Sequence, residues 1–228
     1  YYTILTFLNL FNIRTTLSSI LNQISSQYDY QSLKMQSELY ATIVNQIFPT
    51  LRSLLYDEAK RESKKHYYIR NYILSPFLSV VKIINPLYTR NDIITLSIEL
   101  INNLNNLDAG ARENARQGIE EYLKSLGEVF SLVLFENMRV SLHSGYQRHV
   151  LAYTINFVLT FISSSDIIEK SISTLMPVLF DELFGEISEE KEVDALVNKY
   201  KEAKKITAFN SFELISSKIS LKSLVEDI

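Results

Sequence analysis

The stretch from Gly110 to Ile162, GARENARQGIEEYLKSLGEVFSLVLFENMRVSLHSGYQRHVLAYTINFVLTFI, decides the fold. It reads as two helical hairpins in succession, broken at Gly127 and Gly145, where glycine supplies turn conformations that other residues resist. Helix starts at Ala111 and Tyr146 lie about 35 residues apart, the size of one helix–turn–helix repeat in the HEAT and armadillo range. Within the second hairpin, Tyr146, Val150, Tyr153, Phe157 and Phe161 form one apolar stripe, and Leu151, Ile155, Val158 and Ile162 form another. A helix with two apolar stripes packs on both sides, as the inner helices of a stacked solenoid do. The stripe residues, together with a hydrogen-bonded His149, are the expected core of the repeat, with Leu151, Ile155, Phe157, Val158 and Phe161 almost fully buried.

Working outward, hydrophobic periodicity and helix breakers predict helices over 2–24, 33–47, 50–66, 67–84, 90–106, 110–126, 128–143, 146–163, 166–184, 188–205 and 209–218. The breaks fall at Tyr28-Asp29-Tyr30, Pro49, Pro86, Asp108, Gly127, Gly145, Ser163–Ser165 and Gly185. Asp108 and Asp166 stand where a carboxylate would cap the first turn of the helix that follows. The expected fold is all-α, a single solenoid segment over residues 1–228. Composition agrees: five glycines and four prolines in 228 residues leave few turns for a β protein, and 46% hydrophobic residues suffice for a core. Tyr1 in place of an initiating methionine fits a piece excised from a longer chain. The apolar opening, YYTILTFLNLFNI, is interrupted by Asn9 and Asn12 and is shorter than the roughly 20 residues that span a bilayer, so no membrane association is expected.

Motifs for chemistry are missing. The chain has no cysteine, which removes thiolate nucleophiles and thiolate metal sites. It carries no phosphate-binding glycine loop and no H-E-x-x-H pair. His143 and His149 straddle the break at Gly145, so they do not share a helix face as i, i+4 metal ligands do. A Ser144–His149 nucleophile pair lacks an orienting acid. No catalytic residue, metal site, cofactor or small-molecule substrate is therefore expected.

Two charged regions remain. The acidic run Asp181, Glu182, Glu186, Glu189, Glu190, Glu192 and Asp194 lies beside Lys199, Lys201, Lys204 and Lys205, and reads as a solvated helix pair with complementary charges, or as a dock for a basic partner. Lys60, Arg61, Lys64, Lys65 and Arg70 interleave with His66, Tyr67 and Tyr68, which supplies cations for phosphates beside aromatics for stacking bases. A solvated helix end is the commoner meaning of such a cluster. The net charge of −3 also gives the chain as a whole no basic field, so RNA affinity in isolation is expected to be weak or absent.

The wording of residues 108–215 resembles a known family. Arg112, Ala115, Arg116, Ile119, Leu126, Gly127, Leu142, Gly145, Tyr146, Gln147, His149, Val150, Leu151, Tyr153 and Thr154 follow the pattern R-x-x-A-R-x-x-L, L-G, L-x-R-G-Y-Q-x-H-V-L-x-Y-T of the large HEAT-repeat scaffold of the small-subunit processome, the family called "down-regulated in metastasis". A second match follows in order at Leu183 to Ile215, LFGEISEEKEVDALVNKYKEAKKITAFNSFELI. Ser144 stands where the family tends to have a basic residue, and Phe209-Asn210 replaces Tyr-Asp; Phe209 is expected to keep its ring in the core. Residues 1–106 have the helical character without matching wording. The resemblance implies a non-enzymatic nucleolar α-solenoid that supports pre-rRNA processing and small-subunit biogenesis. Its implied partners are other processome proteins and pre-ribosomal or small nucleolar RNA. The competing reading is a generic HEAT or armadillo adaptor in nuclear transport or a vesicle coat.

Overall fold

A computed structural model describes residues 37–56, 71–84, 86–185, 201–204 and 207–219. Every element among them is helical: α1 (Ser37–Thr42), a π-helical turn (Ile43–Ile47), α2 (Phe48–Tyr56), α3 (Asn71–Ile83), α4 (Pro86–Leu104), α5 (Ala109–Leu126), a 3-10 turn (Glu128–Phe130), α6 (Ser131–Ser141), α7 (Tyr146–Leu159), α8 (Ser165–Phe184), a second 3-10 turn (Lys201–Lys204) and α9 (Ala208–Ser216). No described helix is long and apolar enough to cross a membrane. The chain divides into two compact units, residues 1–96 and 97–228.

In the first unit the expected break at Pro49 does not occur. The helix runs from Ser37 to Tyr56, and the wide turn Ile43–Ile47, closed by the Phe48 amide on the Ile43 carbonyl, ends two residues before the proline. A π-turn shifts the hydrogen-bond register, which lets the chain absorb a residue that lacks an N–H without ending the helix. Pro86, by contrast, does mark a boundary as the first residue of α4, where a missing N–H is no loss. Phe48 stacks on Phe77 with centroids 5.5 Å apart, and Ile43, Leu51, Leu74, Phe77, Leu78 and Leu96 belong to this unit's buried core.

The second unit is organised around α7. This helix packs against α5 and α6 before it and against α8, the second 3-10 turn and α9 after it, as the double stripe requires. Only one stripe is fully covered, however. Leu151, Ile155, Val158 and Ile162 are buried, as are His149 and Val150, whereas Tyr146, Tyr153, Phe157 and Phe161 are half-buried. At the helix end α7 stops at Leu159, four residues short of the expected 163, and Phe161 sits in the turn beyond it, packed edge-on against Phe157 at 5.0 Å. Lys124 lies over its ring at 5.7 Å.

The helix starts divide in the same way. Asp108 caps α5 as expected, accepting from the Gly110 amide at 3.0 Å. Asp166 does not cap α8; it is the helix's second residue and pairs with Lys170 at 2.7 Å. The chain entering α8 is held by Glu128, whose carboxylate accepts from the Ser163 and Ser164 amides and from the Ser163 hydroxyl. Those amide bonds, chiefly that from Ser163, hold the Glu128 carboxyl below the usual carboxylate range. Gly127 and Gly145 adopt φ of 106° and 51°, which accounts for glycine at both breaks.

Candidate functional site

Two arginines one turn apart on α5 build the most unusual feature of the second unit. Arg112 and Arg116 lie on the face that also carries Ala111, Ala115 and Ile119, and both are 1% exposed. Small neighbours on that face leave room for guanidinium groups in what is otherwise a core. Arg112 grips Glu202 side-on, Nε donating to Oε1 at 2.8 Å and Nη2 to Oε2 at 2.7 Å, while Nη1 donates to the carbonyls of Asn106 and Leu107 at 2.9 and 3.0 Å. Arg116 reaches the same Oε1 from Nη1 at 3.1 Å, pairs with Glu113 at 3.0 Å and lies 4.9 Å over the ring of Tyr153. Burial alone would raise the Glu202 carboxyl; the hydrogen bond and charge of Arg112, its own backbone amide and the charge of Arg116 outweigh it and hold the group below its ordinary value.

The segment that carries Glu202 is fixed at three further points. Glu182, buried at the end of α8, accepts from the Thr207 amide at 2.9 Å and from its hydroxyl at 3.0 Å. Asn156 of α7 donates to the Ser211 hydroxyl at 3.0 Å. Lys218 donates to the carbonyls of Leu159 and Ile162 at 3.0 and 2.6 Å, which ties it to the end of α7 and the turn beyond. The solvated acidic face expected at 181–194 is thus corrected at Glu182, which is a core residue; Glu186 to Asp194 and Lys199 lie outside the described residues. Phe209 is also corrected: it is 65% exposed, and the apolar residues that α9 buries are Ala208 and Ile215.

Chemically this is a joint. Both Glu202 oxygens are engaged, and the ion cluster fastens the two segments in which the family wording was found, 108–154 and 183–215, to one another. In the sequence Arg112 and Arg116 stood out only as family wording, and the cluster was missed; the signal that could have found half of it is two arginines among alanines on an apolar face, which call for a buried acidic partner. Which of 26 acidic residues answers them is a question of tertiary structure. Among the described residues no group of three His, Cys, Asp or Glu is placed to hold a metal. His143 is exposed, with Nδ1 2.9 Å from the Val140 carbonyl, whereas His149 is buried on α7. Lys60, Arg61, Lys64, Lys65, Tyr67, Tyr68 and Arg70 lie outside the described residues. The division into units nevertheless bears on them: residues 1–96 hold ten Lys and Arg against six Asp and Glu, and residues 97–228 hold thirteen against twenty, giving net charges of +4 and −7.

Residues 60–228, well over half of the chain, match the family model of the U3 small nucleolar RNA-associated protein 20 domain. The chain belongs to that family. Similar proteins include the U3 small nucleolar RNA-associated protein 20 of Schizosaccharomyces pombe, 27% identical over 199 residues, and that of Saccharomyces cerevisiae, 26% identical over 141 residues. These matches cover 85% and 58% of this chain but only 8% and 6% of the relatives, so the chain corresponds to a small part of their length. The family match begins at Lys60 and includes the basic-aromatic cluster, well before the wording that began at Asp108.

Proposed function

We propose that this chain is a non-catalytic segment of an α-solenoid scaffold of the small-subunit processome, acting in the nucleolus in pre-rRNA processing and small-subunit assembly. Family membership carries the reading, and the Arg112–Glu202–Arg116 joint supports it physically. Two arginines and a carboxylate sealed in a core, with both carboxylate oxygens used, serve rigidity better than turnover, and rigidity is what a scaffold must supply. Purification of the tagged full-length protein should recover small-subunit precursor RNA and processome proteins. Recovery of nuclear-transport or coat components in their place would establish the adaptor reading.

The charge division adds one element. Nucleic-acid contact belongs to the basic first unit, with its cluster from Lys60 to Arg70, and protein contact to the acidic second unit. If the cluster meets phosphates, affinity for single-stranded RNA should fall with salt at a log–log slope of about −0.7 per contact. Gln at Lys60, Arg61, Lys64, Lys65 and Arg70 should flatten that slope; a slope unchanged by these substitutions would remove the cluster from the reading.

A further inference from the structure

Four phenylalanines gather where α8 ends beside α9. Phe180 and Phe184 stand one turn apart on α8 with ring centroids 6.4 Å apart, and Phe180 meets Phe212 of α9 at 5.9 Å. Phe209 is three residues before Phe212 and so shares its side of α9. The core does not use this cluster: the inward side of α8 is filled by Ile172, Leu175 and Leu179, while Phe180, Phe184 and Phe209 are 40%, 79% and 65% exposed. Scattered exposed apolar residues are ordinary, but linked aromatic rings on two packed helices are the composition of an interface centre.

The surrounding charge selects the partner. Asp181 flanks the patch on α8 and Glu213 is exposed on α9; α9 has no basic residue, and neither helix has one in its last turn. Arg148 of α7 lies 3.7 Å from Asp181, and Lys218, beyond α9, is held by the Leu159 and Ile162 carbonyls. The whole unit is net −7. Single-stranded RNA would find rings for stacking here, but its phosphates need a positive groove and would meet carboxylates. A protein segment with apolar anchors flanked by Lys and Arg fits both features.

Resting on the scaffold reading above, we propose that the Phe180, Phe184, Phe209 and Phe212 surface docks a Lys- and Arg-rich amphipathic segment of another protein. The test uses the full-length protein in its native particle, with benzoylphenylalanine replacing Phe184 or Phe209 in turn and Val140, which is 70% exposed on α6, as a control position. The substitution keeps an aromatic ring, so folding is preserved. Photo-crosslinking from 184 and 209 but not from 140 to one basic, apolar segment of a different protein is the expected result. Phe184→Ser together with Phe209→Ser should then reduce co-purification of that protein at least tenfold while precursor RNA is still recovered. Crosslinks to the same chain, to a second copy or to RNA, or no crosslink above that at 140, would overturn the proposal. Loss of precursor RNA from the unsubstituted protein would count against the scaffold reading itself.

Discussion

Among the described residues each unit buries a carboxylate against arginine, and the two pairings behave in opposite ways. In the first unit Asp92, its side chain 7% exposed, meets Arg52 at 2.8 Å, but the Arg52 side chain is 61% exposed and approaches through Nε alone. Burial therefore dominates, and the Asp92 carboxyl is raised above its ordinary value despite the charge of Arg52 and a bond to its own backbone amide. In the second unit Glu202 is more deeply buried yet lowered, because two sealed guanidinium groups deliver three hydrogen bonds to it. The number of donors and how far water is excluded from both partners decide the sign; the presence of a salt bridge does not.

The largest effect should come from removing Glu202. Glu202→Leu leaves two buried guanidinium groups facing apolar surface, and losing one side of a buried ion cluster costs about 3–5 kcal/mol. Urea denaturation of the chain should show this as a lower midpoint. Adding Arg112→Met and Arg116→Leu to Glu202→Leu should recover much of the loss, since the penalty belongs to unpaired charge. A triple variant no more stable than Glu202→Leu alone would mean that the cluster holds the fold by geometry, and the contrast with Asp92 would lose its electrostatic basis.

A smaller effect separates the two stripes of α7, and it also marks how far the sequence could be read. Ile155→Ala, at a site 1% exposed, should cost about 2–5 kcal/mol, whereas Phe157→Ala should cost roughly half of the 3–5 kcal/mol of a fully buried ring, because Phe157 is half-buried. Equal losses from the two, in the same denaturation experiment, would restore the symmetrical packing expected from periodicity. Periodicity reports which residues are apolar. It does not report where the helix stops: α7 ends at Leu159, and the amides of Thr160, Phe161 and Ile162 turn to carbonyls three residues back. The all-helical class, the breaks at Gly127 and Gly145, the cap at Asp108 and the burial of His149 were local properties and legible for that reason. The Glu202 joint, the burial of Glu182 and the entry of α8 on Glu128 join residues 25 to 90 apart, and no local pattern encodes such pairings. At Pro49 the sequence signal was real, but a π-turn met the same need by another route.

Acidification should act on the two carboxylates in opposite directions. Glu202 has a folded pKa below the ordinary 4.5, so its contribution is fully present above that value and is lost as pH falls through the lowered pKa. Asp92 has a folded pKa above the ordinary 3.8, so its ionised form opposes folding and that cost is relieved as pH falls through the raised pKa. Each pKa unit of difference is worth about 1.4 kcal/mol. Hydrogen exchange followed by mass spectrometry below pH 4.5 should therefore show α5 amides losing protection while those of α2 and the start of α4 do not. Parallel loss in both units would mean that they unfold as one and that the two carboxylates do not set their acid stability.

The smallest effect should follow from Arg52→Gln, and its size is what makes the comparison informative. Arg52 is mostly in water, where an ion pair is screened and the long side chain gives up conformational freedom to hold its position, so such a partner contributes about 0–1 kcal/mol. Asp92, already raised by burial, has an inexpensive response to the loss: it takes up a proton at higher pH, which limits the cost of an uncompensated charge. The guanidinium groups that Glu202→Leu leaves unpaired have no such escape, since they keep their charge across the accessible range. Arg52→Gln should therefore lower stability by under about 1 kcal/mol at neutral pH and by less at pH 4, and Asp92→Asn added to it should be nearly neutral. A loss comparable to that of Glu202→Leu would show that Arg52 acts through its aliphatic stem on the α2–α4 contact, a packing role that an exposed guanidinium conceals.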